Sequence, residues 1–312
     1  MRPVVSVNGV VKNAREAVVP VYDHGFLYGE GVYETLRTYN GEPFLFDRHM
    51  RRLHRSAGLM ALRVPVSDAE MLARVRETMR EAEGPGPGSV ETTDVPEAYI
   101  RILLTRGVGE LTYNLAATPV PTLVIIVKPY VAMAERTFAD GITVSLVGVR
   151  RNHPAALNPM IKSNNLLNNA LAMQEALARG GEEALMQNHA GEIVECAQSN
   201  VFVVTQGAVT TPALEAGLLP GITREFVLEI AADLGIRAGQ GRVTPADVLA
   251  ADEVFLTGTT REVTPVVRVD EHVIGSGAPG PVTRRLLQEL RSRAQTLTRS
   301  AVSSAVSPGA SA

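Results

Sequence analysis

The sequence predicts an α+β chain folded as two domains. Its 312 residues suffice for one large domain or two smaller ones. Apolar residues make up 45% and charged residues 20%, an ordinary balance for a globular chain. Short β-branched runs and amphipathic helical patterns occur as two successive mixed sets, with a connecting stretch between them.

The first set covers residues 1–128. Val4 to Val11 alternates around Asn8-Gly9, a hairpin turn signal. Gly31 to Tyr39 reads as a strand, and Asn40-Gly41 is the next turn. Phe46 to Met60 places Met50, Leu53, Ala57 and Met60 at helical spacing. Asp68 to Ala82 is a second helix with Asp68 as its expected N-cap. Gly84 to Pro96 has the composition of a loop, and Tyr99 to Thr105 and Thr122 to Val127 read as strands.

Residues 129–140 are expected to link the domains, and 141–295 to form the larger one. Its elements are a strand from Ile142, a helix from Asn164 to Ala178, and strands at Ala184 to Gln187, Ile193 to Glu195 and Asn200 to Thr205. Turns fall at Ala190-Gly191 and Gln206-Gly207. Thr223 to Leu234 is an amphipathic helix ended by Gly235, Glu253 to Leu256 a strand, and Pro281 to Gln295 the last helix. The Ser/Ala-rich stretch 296–312 has little to bury and reads as a disordered tail.

Several function classes are disfavoured. The net charge of −3 gives no global field for nucleic acid or an anionic membrane. No stretch reaches the length of a membrane span, and MRPVVSVNGVV lacks the apolar core of a signal peptide. Cys196 is the single cysteine, which excludes an internal disulfide and fits a cytoplasmic location. The six histidines (His24, His49, His54, His153, His189 and His272) show no metal-motif spacing, so no metal is expected.

Five features can carry chemistry. Lys162 lies between the apolar pair Met160-Ile161 and a predicted helix start. Partial desolvation there disfavours the ammonium and frees the amine as a nucleophile. Gly221-Ile222-Thr223-Arg224 opens an amphipathic helix, whose free amides and positive end suit a phosphate. Thr257-Gly258-Thr259-Thr260 follows a strand and offers hydroxyls and a tight turn to an anion. Arg52 can add a charge-assisted fork. Glu195 ends a short strand and can keep a pyridine nitrogen protonated. Taken singly, these also read as a surface lysine, an N-cap, a polar turn, a solvated helix face and an exposed glutamate.

Their order and wording together resemble the fold-type IV pyridoxal 5'-phosphate (PLP) enzymes, the group of branched-chain aminotransferases, D-amino acid aminotransferases and aminodeoxychorismate lyases. The resemblance runs from about Val7 to Leu290. It is carried by GEGVYETLRTYNGEPFLFDRHMRRLHRSA, IKSNNLLNNALAMQEALARG, EIVECAQSNVFVV, LLPGITREFVLEIAADLGI and ADEVFLTGTTREVTPV. It implies a two-domain, D-amino acid aminotransferase-like fold with PLP in the interdomain seam, and a homodimer in which a loop of one subunit closes the other's pocket. Lys162 matches the lysine that holds the cofactor as an imine and shuttles the substrate proton. Glu195 matches the acid facing the pyridine nitrogen, with Ser199 and Asn200 beside the ring. Arg52, Ile222, Thr223 and Thr259 match the phosphate cup. Gly258, Thr259 and Thr260 match the turn that receives the substrate carboxylate, and Tyr28 and Tyr33 match residues lining the substrate pocket.

Within the group, Tyr99-Ile100-Arg101 followed by RGVGEL resembles the branched-chain enzymes, where Arg101 would accept an acidic side chain such as that of glutamate. VGELTYN at 108–114 lacks the Arg-x-His pair of the D-amino acid enzymes. Two features depart from the branched-chain pattern. Leu167 stands where many of those enzymes have tyrosine, and Thr112-Tyr113-Asn114-Leu115 replaces a Gly-Val-Asn-Pro type of loop. The expectation is transamination between a branched-chain L-amino acid and 2-oxoglutarate, with small amino and oxo acids as the partners. A D-amino acid or (R)-amine transaminase and an aminodeoxychorismate lyase remain open alternatives.

Overall fold

The computed structural model describes residues 1–83 and 96–305, with side chains to Arg299. Two compact units form. The first is Met1–Val131 with Ile161–Asn165 and the chain from Ala294 onward; the second is Ala132–Met160 with Leu166–Arg293.

The first unit is built on β1 (Val4–Val7), β2 (Val10–Asn13), α1 (His24–Leu27), β3 (Gly31–Tyr39), β4 (Glu42–Pro43), α2 (Phe46–Leu59), α3 (Asp68–Glu83), β5 (Ala98–Thr105) and β6 (Thr122–Pro129). Its six strands run in the order β2-β1-β6-β5-β3-β4, and every pairing is antiparallel. Both predicted hairpin turns form, with Asn8 and Gly9 at φ 50° and 88° and Asn40 and Gly41 at 51° and 74°. Positive φ at both central residues is what a two-residue hairpin of this twist demands. Helices α2 and α3 bury Met50, Leu53, Ala57, Met71 and Val75 in one core with Val32, Leu36, Ile100, Ile102 and Ile125 of the sheet.

The second unit contains α4 (Glu135–Asp140), β7 (Ile142–Leu146), α5 (Leu167–Ala178), β8 (Glu183–Gln187), β9 (Ile193–Cys196), β10 (Asn200–Thr205), β11 (Ala208–Pro212), α6 (Ile222–Asp233), β12 (Ala238–Gly241), α7 (Pro245–Leu249), β13 (Glu253–Gly258), β14 (Glu262–Val269), β15 (His272–Val273) and the start of α8 (Pro281–Ala305). Its nine-stranded sheet has the order β12-β11-β10-β13-β14-β7-β8-β9, with β15 on β14. Pairs β7–β8, β7–β14 and β11–β12 are parallel and the rest antiparallel. Strands β10 and β13 are buried over nearly their whole length, with apolar residues at their middles, and Phe202 stacks on Phe255 at 4.8 Å. Among the described residues no helix is long and apolar enough to cross a membrane.

Four sequence expectations change. The segment holding Lys162 belongs to the first unit, not to a domain spanning 141–295. The reason is backbone pairing: Tyr33 N donates to Lys162 O (2.9 Å), Asn164 N to Gly31 O (2.9 Å), and Ser163 bridges Val32. For the same reason α5 begins at Leu167 rather than Asn164. The N-cap of α3 is Ser67, whose Oγ accepts from Glu70 N, rather than Asp68. The expected disordered tail is helical from 296 to Ala305, because Thr298 is buried and its hydroxyl accepts from Asn40 Nδ2. The rest of that tail, and all but Pro96 of the stretch Gly84 to Pro96 expected as a loop, lie outside the described residues. The expected linker, 129–140, holds the end of β6 and all of α4.

Candidate active site

Alternation along β3 turns Val32, Glu34 and Leu36 to the buried face and leaves Tyr33 on the other. Glu34, wholly buried, is the hub of an ionic cluster. Its Oε1 accepts from Arg52 Nε, and its Oε2 from Arg52 Nη2 and His49 Nδ1, each at 2.7 Å. Burial alone would raise its pKa. The Arg52 charge and the bonds from Arg52 and His49 outweigh burial and hold the carboxyl down at about 2. Burial lowers the His49 pKa; Glu34 opposes that, while the positive charges of Arg52 and Lys162 add to it. His49, Arg52 and Ser56 share one stripe of α2, being three and four residues apart. Ser56 Oγ accepts from Lys162 N at 3.1 Å, so the helix that fixes Arg52 also fixes the lysine backbone.

The Tyr33 ring gathers two cations. Lys162 Nζ lies 4.5 Å from its centroid, and Arg101 Cζ lies 4.2 Å away. The register explains the second contact: Arg101 sits opposite Thr35, diagonal to Tyr33. Arg101 Nε is buried with no protein partner among the described residues. Tyr28 does not join this group. Its ring packs edge-on against His24 at 4.9 Å and tilts against Tyr113 at 5.0 Å.

In the second unit, Glu195 is buried and triply held. Arg151 Nε donates to its Oε1 at 2.7 Å, and Leu219 N and Asn200 Nδ2 donate to its Oε2 at 3.2 and 3.4 Å. Arg151 is braced in turn by Asn168 and Asn169 in the first turn of α5. Asn200 pairs with Thr257 across β10 and β13. A side chain at Gly221 would place Cβ 1.9 Å from Asn200 Oδ1, so only glycine lets α6 begin there. No side chain caps that helix start, so the first-turn amides around Ile222 and Thr223 point at no capping group. Thr257 Oγ1 is buried with no partner among the described residues, and Arg261 N closes the turn 258–261 onto Gly258 O. Ser199 Oγ donates to Glu183 Oε2, whose pKa burial raises despite Arg261 at 3.3 Å.

Each unit, taken by itself, carries groups with a distinct binding chemistry. An open helix end, an unpartnered hydroxyl and a backbone turn are donors suited to a phosphate monoester. A lysine amine facing an aromatic ring and an arginine with an idle donor suit an aldehyde and a carboxylate. Ser199, Asn200, Gly221, Thr257 and Gly258 come together as the motifs suggest, whereas Tyr28 stands with Tyr113.

The amino-transferase class IV family model matches residues 31–269. The chain belongs to this family. A Methanocaldococcus jannaschii protein with the provisional name branched-chain-amino-acid aminotransferase is 36% identical over 284 residues, covering 91% of this chain and 94% of that one. A Bacillus licheniformis D-alanine aminotransferase is 31% identical, covering 91% and 94%. The solved branched-chain amino acid aminotransferase of T.th. with pyridoxamine 5'-phosphate superposes with a TM-score of 0.86 at 29% identity, covering 94% of each chain.

In this class IV aminotransferase, reading motifs alone misses the partners. Glu34 leaves a trace, because the β3 alternation sets a carboxylate on the same face as Val32 and Leu36. Arg151, 44 residues from Glu195, leaves none.

Proposed function

We propose that this aminotransferase holds pyridoxal 5'-phosphate and exchanges the amino group between a branched-chain L-amino acid and 2-oxoglutarate. The observation that carries the acceptor assignment is Arg101. Its guanidinium shares the Tyr33 ring with Lys162 and keeps a buried Nε without an acceptor among the described residues, which leaves a donor for a carboxylate-bearing side chain.

When bound, the cofactor supplies an aldehyde carbon for the amino group and a pyridine ring that accepts the electron pair released at the donor's α-carbon. Lys162 would hold the cofactor through its aldehyde, and its amine would move the proton between the donor's α-carbon and the cofactor carbon on the far side of the nitrogen. Glu195, fixed by Arg151 and Leu219 N, holds a proton at the ring nitrogen. Ser199 and Asn200 flank the ring. Arg52, oriented by Glu34, would offer a phosphate a charged fork, and the Ile222 amide, Thr223 and Thr259 would offer it neutral donors. The turn Gly258-Thr259-Thr260 would orient the substrate carboxylate; Tyr33, beside Lys162, would exclude water from the donor side chain, and Tyr28, paired with Tyr113, would line the pocket away from that group. Amino acid and oxo acid take turns in one site, so kinetics are ping-pong.

The enzyme works as a homodimer in the cytoplasm. The first unit exposes Val18, Val21, Tyr22, Phe26, Leu111 and Tyr113, an apolar set that a second copy would cover. Sedimentation at a monomer's mass would refute the dimer.

A second reading, a D-amino acid or (R)-amine transaminase, is favoured by Leu167, which puts an exposed aliphatic group at the head of α5. An absorbance scan of the purified holoenzyme, mixed separately with L-leucine, D-alanine and (R)-1-phenylethylamine, separates the two. Conversion to the pyridoxamine form by L-leucine alone supports the branched-chain reading; conversion by either of the others moves the enzyme to the second. Absence of any cofactor band after PLP is added refutes both.

A further inference from the structure

The geometry points to Glu30 as a positioning residue that, through His24 and Arg106, sets the paired rings of Tyr28 and Tyr113 as one wall of the amino-donor pocket. This rests on the reading of Tyr28 as a pocket residue.

The segment around α1 and the one that follows β5 are zipped together. His24 N donates to Gly107 O (2.9 Å), Arg106 N to Glu30 O (3.0 Å) and Gly109 N to Tyr22 O (3.3 Å). Beyond Gly109 the second segment turns outward, and Tyr113 is 80% exposed. Two contacts tie this part back to α1: His24 Nε2 to Glu110 O at 2.8 Å, and the Tyr113 ring against Tyr28.

The first contact depends on Glu30. His24 is buried, and both its ring nitrogens face acceptors, Glu110 O on one side and Glu30 Oε2 at 3.2 Å on the other. Glu30 and Glu110 O thus hold the ring from its two nitrogens, so its orientation depends on the carboxylate. The same oxygen accepts from Arg106 Nε at 3.0 Å, and Arg106 Nη2 is anchored on Met60 O at 2.6 Å. One carboxylate therefore fixes the tilt of His24 and, through it, both its edge contact with Tyr28 and the place of Glu110, three residues before Tyr113. In Glu30→Gln the charge is gone and an amide NH2 competes with two donors, so the ring gives up one of its bonds.

The test combines hydrogen exchange on the holoenzyme, read on peptides covering 107–114, with steady-state kinetics for L-leucine and 2-oxoglutarate. In Glu30→Gln the exchange should speed up, and KM for L-leucine should rise about tenfold with kcat changed by less than about twofold, as for loss of binding shared by ground and transition states. Glu30→Asp, which keeps the charge, should restore most of the KM. Tyr113→Ala, chosen with sedimentation as a check that its mass in solution matches the wild type's, should raise the same KM. Unchanged exchange in Glu30→Gln overturns the clamp. Faster exchange with unchanged KM, or an unchanged KM in Tyr113→Ala, overturns the wall. A wild type that turns over no amino donor defeats the substrate reading instead, and hydrogen exchange still decides the clamp.

Discussion

Replacing Glu34 by Gln should destabilise the first unit by about 3 kcal/mol. The span between the ordinary carboxyl value of 4.5 and about 2 in the folded chain, at about 1.4 kcal/mol per pH unit, gives that figure. A separate route agrees: removing one member of a buried ion pair costs roughly 3–5 kcal/mol, because the other charge is stranded. Here the stranded group is Arg52, whose Nε and Nη2 both donate to Glu34. The amide NH2 of glutamine would also face donors. For a unit of this size the melting temperature should fall by roughly 6–12 °C, at about 2–4 °C per kcal/mol. The assay is thermal unfolding followed by circular dichroism at neutral pH and through an acid series. Because the folded pKa is depressed, the stabilisation is complete above about 4.5 and is lost as pH falls towards about 2. The gap between wild type and variant should close across that window. A variant melting within about 1 °C of wild type at neutral pH, or a gap that stays constant through the window, would refute the reasoning.

Lys162→Ala should lower kcat by about 10²-fold to 10⁴-fold or more, since the group that moves the α-proton is gone; retained full turnover in a stopped assay contradicts that role. Glu195→Gln should keep the fold, at some cost in stability because Arg151 loses its carboxylate, and should turn over more slowly; an unchanged kcat means that Glu195 is not at the ring nitrogen. His49→Gln should flatten the acid limb of the stability curve. The folded pKa of His49 is lowered from 6.5, so the unfolded chain takes up a proton first and stability falls as pH drops through about 6.5; equal slopes in both proteins contradict this. Cys196 is buried, and burial pushes its thiol pKa well up. It should therefore resist a thiol reagent such as DTNB in the native protein and react on unfolding, and rapid native labelling contradicts the burial.

The parts of the fold legible in the sequence are those whose physics is local. Asn8-Gly9 and Asn40-Gly41 announce their turns because few other residues tolerate positive φ twice in succession. Helix α2 announces itself through Met50, Leu53 and Ala57, which the structure buries. The misread parts are decided from a distance. Asn164 to Leu166 look helical, yet Asn164 is drawn with Lys162 and Ser163 into pairing with β3, and the helix starts only after Leu166. Strand β14 was hidden because Pro265, which cannot donate to a ladder, sits inside it. Strand β12, Ala-Gly-Gln-Gly, has no side-chain pattern and exists because β11 offers it an edge. At the site, residues with unusual local wording, such as Lys162 and Gly221, stood out. The charges that steer them did not, since Glu34, Arg151 and Glu30 act through neighbours far away in the sequence.

The five residues Ile161–Asn165 are flanked on both sides by chain that belongs to the other unit. During synthesis the first unit therefore cannot finish when residue 131 emerges. Until the ribosome has delivered Lys162 and Asn164, Tyr33 N and Gly31 O wait without their native partners. A fragment cut at 131 stays incomplete in the same way, however well its core packs. The lysine on which the proposed chemistry depends thus lies in the stitch that pairs with the start of β3, and the unit it joins is finished only when the chain from Ala294 follows.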